Sequence, residues 1–82
     1  MKSDYNGWKN RQTWNVALWI NNDEYLYKKA VEYMKTYKYS FPYASFIKKM
    51  GLRDARTPDN ISYSGTRLDY KALNDMMRDL IA

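Results

Sequence analysis

Arg53, Arg56 and Arg67 surround a polar stretch that also carries Tyr63. A guanidinium offers a rigid fork to carboxylate or phosphate, and a tyrosine ring adds a stacking face. These four residues form a candidate partner-binding set, and its competitor is a set of ordinary ion pairs with Asp54, Asp59 and Asp69. A second group, Lys28, Lys29, Lys35, Lys48 and Lys49, offers a possible phosphate-binding face. Its competitor is a solvated face that only keeps the chain dispersed. Trp8 sits in a polar arm beside Lys9 and Arg11, which makes it a possible stacking ring for a base. Trp14 and Trp19 offer the same stacking chemistry for a base or nucleotide, but they lie in an apolar run and are expected to serve the core.

Other chemistry is poorly supplied. The chain has no histidine and no cysteine, so the usual general base, the thiol nucleophile and the commonest metal ligands are missing. Its three glycines, at 7, 51 and 65, are too scattered to cradle a phosphate. Asp54 and Asp59 share one segment, but a turn after Pro58 explains Asp59 more simply than paired-carboxylate catalysis does. The expectation is a protein that is not an enzyme and uses no metal or cofactor.

Eighty-two residues make one domain, 1–82, with no room for a second core. A chain this short buries roughly 60% of its unfolded surface. An aromatic share of 17% strengthens that small core, because each ring buries on the order of 150–250 Å². Nine tyrosines exceed what a helical core needs, so some are expected at a surface or interface. A formal charge of +5 favours encounter with acidic surfaces or nucleic acid. No apolar run approaches the ~18 residues of a membrane span, and no signal core opens the chain. A soluble protein in the cytoplasm of the host cell, with no membrane partner, is expected.

The elements that must position these groups are read as all-α: a compact bundle of about four short helices, with one long loop before the last. Residues 1–9 read as an N-terminal arm. Asn10 or Thr13 can cap a first helix over Trp14, Val16, Ala17, Leu18, Trp19 and Ile20, whose polar sector is Asn15 and Asn22. Trp14, Val16, Leu18 and Ile20 also alternate, as a strand over residues 14–20 would. Helix is preferred because helical segments follow and no hairpin turn does. Asn22 or Asp23 caps a second helix running to about Lys38, with Leu26, Ala30, Tyr33, Met34 and Tyr37 on one stripe. Pro42 opens a third, and Gly51 with Leu52 closes it in a Schellman motif. Residues 52–66 form the loop. A last helix begins near Asp69, stapled by Leu68 and Leu73. The expected core is Trp14, Leu18, Ile20, Leu26, Ala30, Met34, Phe46, Ile47, Leu73 and Leu80.

The string from Asn10 to Glu24, Asn-Arg-Gln-Thr-Trp-Asn-Val-Ala-Leu-Trp-Ile-Asn-Asn-Asp-Glu, resembles the signature of a family of small uncharacterised phage and mobile-element proteins. Thr57-Pro58-Asp59-Asn60 and Leu68-Asp69-Tyr70-Lys71-Ala72-Leu73 also resemble it, so the similarity covers most of the chain. Gln12 stands where that family is expected to carry an acidic residue. The resemblance implies a phage or mobile-element setting and brings no catalytic or binding residues with it.

The function expected from these features is a non-catalytic interaction protein that binds, and can thereby inhibit, a host defence protein through an acidic surface. The alternative is a nucleic-acid or nucleotide binder using the basic surface with aromatic stacking. Phosphate binding weakens steeply with added salt, whereas a Tyr-anchored protein interface hardly responds.

Overall fold

The computed structural model describes Tyr5 and residues 7–82. The expected arm, residues 1–9, therefore lies partly outside the described residues, at 1–4 and 6. Four helices follow in order: α1 (Arg11–Asn22), α2 (Glu24–Thr36), α3 (Pro42–Lys49) and α4 (Tyr70–Asp79). No strand occurs among the described residues, and residues 14–20 lie within α1. The chain is an all-α bundle.

Local chemistry sets the helix ends. The Asn10 side chain accepts from the Thr13 backbone N–H at 2.9 Å and from the Thr13 hydroxyl at 2.7 Å. Asp23 serves two helices. Its N–H donates to the Trp19 carbonyl at 2.9 Å, closing α1, and its carboxylate accepts from Leu26 N–H at 3.0 Å, opening α2. Helix α2 stops at Thr36, short of the expected Lys38, because Tyr37 turns extended at φ −119°, ψ 145°. On extended chain, residues two apart point the same way. The Tyr37 and Tyr39 rings accordingly stack at 5.7 Å and 15°.

Pro42 starts α3 where its missing N–H costs nothing. The next free donor, Tyr43 N–H, is capped from another helix by the Asn74 carboxamide oxygen of α4 at 2.9 Å. Gly51 closes α3 at φ +71°. Leu52 N–H reaches the Ile47 carbonyl at 2.9 Å and Gly51 N–H reaches Lys48 at 3.1 Å, which is the Schellman pattern. Asp69 caps α4 through Ala72 N–H at 3.1 Å. Leu68 and Leu73, before and after that cap, are both buried and staple it.

The core takes Ile20, Ala30, Met34, Phe46, Ile47 and Leu73 as expected, and adds Val16, Ala17, Tyr33, Tyr43, Tyr63, Leu68 and Met77. Trp14 and Leu18 do not belong to it. The inward stripe of α1 is Thr13, Val16, Ala17 and Ile20, at i, i+3, i+4 and i+7, and Trp14 and Leu18 fall on its flank, half-buried. Trp14 meets Tyr5 instead, ring centroids 5.9 Å apart. Leu26 and Leu80 pack at the edge of the core rather than inside it. No helix of the described residues is long and apolar enough to cross a membrane.

The loop at residues 52–66 folds on itself. Thr57 N–H donates to Ile61 O at 2.8 Å, Asn60 N–H to Thr57 O at 2.7 Å, and Arg56 bridges Ser62 in antiparallel fashion. Asn60 turns this small hairpin at φ +69°, a left-handed conformation that asparagine tolerates better than most residues.

Candidate functional site

The signature residues of α1 form a polar seam. Asn15, expected on a solvated sector, is 1% exposed, and this is a correction to the reading of α1. Its amide N–H donates to Asp59 Oδ2 at 2.7 Å, and its carbonyl oxygen accepts from the Thr57 hydroxyl at 2.6 Å. Trp19 Nε1–H donates to the same Asp59 oxygen at 2.9 Å. Further along, Asn10 donates to the Arg67 carbonyl at 2.7 Å, and the Thr13 hydroxyl accepts from Asp69 N–H at 3.0 Å. The Asn15 and Trp19 donors on one oxygen hold the Asp59 carboxyl below the usual carboxylate range, with the Arg11 charge adding to the effect. The seam joins the three motif segments, and its groups are consumed by one another. It is scaffold.

The predicted binding set does not assemble. Tyr63 is 4% exposed and lies in the core, and its carbonyl accepts from the Tyr43 hydroxyl at 2.6 Å, so its ring is no surface platform. Arg56 donates to the Asn60 carbonyl at 3.0 Å, bracing the small hairpin. Arg56 and Arg67 line one groove of about 290 Å³ with Gln12, whereas Arg53 lines another with Lys48. The expected pairing of these arginines with Asp54, Asp59 and Asp69 is also not formed among the described residues. The ion pairs there lie on α2 and α4: Lys29–Glu32, Lys71–Asp75 and Arg78–Asp75.

The lysine set divides as well. Lys29 and Lys49 line a groove of about 310 Å³ between α2 and α3, and Lys48 rims the neighbouring one of about 350 Å³. Lys28 and Lys35 are exposed on α2 and line neither. Trp8 packs half-buried against the core, in a groove whose polar wall includes Asp75 and Asp79. Of these carboxylates Asp75 is paired with Lys71 and Arg78.

What the fold does bring together is a surface centred on α3. On one side, Tyr25, Lys29, Tyr33 and Tyr37 of α2 and its end face Phe46, Lys49 and Met50. On the other, Lys48 and Arg53 rim a floor of Tyr43, Ile47, Tyr63 and Tyr70. Lys29 Nζ lies 5.6 Å from the Tyr25 ring centroid, and Lys49 Nζ lies 5.6 Å from that of Tyr37. Lys48, Lys49 and Arg53 have no ion-pair partner among the described residues. Tyr33, Tyr37, Tyr39 and Phe46 stack into one aromatic cluster behind them.

Sequence reasoning missed Tyr25, Tyr27, Tyr39 and Phe41 as surface residues. A signal was there: three aromatics at 37, 39 and 41 in a short connection cannot all be buried by it.

The chain belongs to a family of unknown function (DUF7249), whose model matches residues 1–82. Comparison with curated proteins and with solved structures finds no match.

Proposed function

We propose that this chain is a non-catalytic interaction protein of phage or mobile-element type, which binds and blocks a host defence protein through the surface centred on α3. One observation carries the reading. Of the large apolar side chains left exposed among the described residues, Tyr25, Tyr27, Tyr39 and Phe41 belong to α2 or the α2–α3 connection, with Ile81 the remaining one. Exposed aromatics concentrated in one segment, with Tyr25 on the groove that α2 makes with α3, mark an interaction site, and Tyr and Phe are enriched at protein interfaces. Lys48, Lys49 and Arg53, on α3 and just after it and without ion-pair partners among the described residues, favour a partner with an acidic surface. The phage setting rests on the resemblance of the α1 signature, and inhibition of the partner follows from covering its surface.

Photo-crosslinking tests this reading. Benzoylphenylalanine is placed at Phe41, and separately at Thr66 in the groove of Arg56 and Arg67. Irradiation in host-cell extract should give a discrete adduct from position 41, sensitive to protease and resistant to nuclease. An adduct from position 66 alone would move the site to the arginine groove. A nuclease-sensitive adduct lost at moderate salt would favour nucleic-acid binding across Lys48 and Arg53.

A further inference from the structure

We infer that the groove between α2 and α3 receives an amphipathic helix of the partner, with an apolar stripe between two carboxylates about two turns apart. This rests on the protein-binding reading of the same face and adds what the partner presents to it.

Four groove residues of α2 and its end, Tyr25, Lys29, Tyr33 and Tyr37, recur every fourth position. They therefore form a continuous wall roughly 18 Å long at 1.5 Å per residue. The opposite wall is α3 and its end, through Lys49 and Met50, over a floor of the buried Phe46. Apart from Tyr37, whose own N–H is bonded to the Tyr33 carbonyl, the walls are helices whose backbone groups are paired internally. An extended peptide laid there would find no sheet edge and would bury unpaired backbone N–H and C=O groups. A helix brings its own backbone pairing, so helix-in-groove docking is the mode that fits.

Charge sets the register. Lys29 lies near the start of the wall, and Lys49 lies against Tyr37 near its end. Eight residues of α2 separate Lys29 from Tyr37, on the order of 12 Å, close to two helical turns. Partner carboxylates seven apart would meet both lysines, with apolar residues between them lying on the half-buried Tyr37 and Met50. Glu32 stands inside this span, 3.7 Å from Lys29 Nζ. It disfavours a third partner carboxylate at the centre, and it disfavours the unbroken charge of a phosphate backbone.

The test uses fluorescence anisotropy with the full chain and a designed, fluorescein-labelled helical peptide. The peptide has glutamates seven apart and leucines at the third and fourth positions after the first. It should bind about tenfold more tightly than a peptide of equal composition whose glutamates are two apart. The K29E/K49E variant should lose about tenfold in affinity, and a peptide with lysines in place of its glutamates should recover it. Equal binding of the two glutamate spacings, no measurable binding, or tighter binding of a single-stranded oligothymidylate would overturn the inference. If the designed peptide fails while position 41 still cross-links to a protein, the helix is wrong and the interaction reading stands. If both fail, both fall.

Discussion

The side-chain amide of Asn15 donates to Asp59 at 2.7 Å across 44 positions of sequence. The same Asn15 accepts from Thr57, so one buried residue of α1 grips both ends of the turn at residues 57–59. No buried side-chain polar atom among the described residues is left without a partner, and this seam is a large part of the reason.

Replacing Asn15 by Ala removes both bonds and leaves the Thr57 hydroxyl proton, in a buried residue, without an acceptor, while the hydroxyl oxygen still accepts from Ile61 N–H at 3.2 Å. A loss of about 2 kcal/mol is expected, since an orphaned buried polar group keeps its full desolvation cost. Urea unfolding should show a lower midpoint at unchanged slope. A shift too small to measure would show that the seam does not hold the loop.

Asp59 gives the pH dependence. Its carboxyl is held below the ordinary aspartate range, first by the Asn15 bond and then by that of Trp19. A group whose folded pKa is depressed contributes stability above its unfolded pKa and loses it as pH falls through the folded one. The stability gap between wild type and Asp59→Asn should therefore narrow as pH falls from about 5 to about 3. Thermal melts of both proteins across that range check it, and a gap that widens in acid would reverse the sign of the argument.

The core makes a third prediction, because Phe46 is buried at its centre while Trp14 lies half-exposed on the flank of α1. Phe46→Ala should cost about 3–5 kcal/mol, enough to unfold a domain this small. Trp14→Ala should cost less and leave a cooperative melt. A Trp14 variant that unfolds while the Phe46 variant melts normally would place the centre of the fold at Trp14 after all.

Local signals were legible in the sequence. Asn10, Asp23, Gly51 and Asp69 mark helix ends because a cap acts within a few residues of itself. Long-range choices were not. Asn15 reads as polar and therefore solvated, until Thr57 and Asp59 arrive from the far end of the chain. Tyr63 has the composition of a surface ring, yet the turn before it swings it under α3. Neighbouring arginines in a loop read as a cluster, and the small hairpin sends Arg53 to a different groove from Arg56 and Arg67. The Tyr–Lys face emerges only once α2 and α3 are laid side by side.

Two charge reversals compared in parallel test the placement of the binding surface most directly. K48E/K49E alters the face beside α3, and R56E/R67E alters the arginine groove; all four side chains are exposed. Surface changes of this kind usually shift stability within about 0.5 kcal/mol, so both variants should melt near wild type. Each is used to capture the protein cross-linked from position 41, from nuclease-treated host extract. K48E/K49E should lose capture, and R56E/R67E should retain it at the wild-type level. Retention by K48E/K49E with loss by R56E/R67E would contradict the account and return the site to the arginine loop.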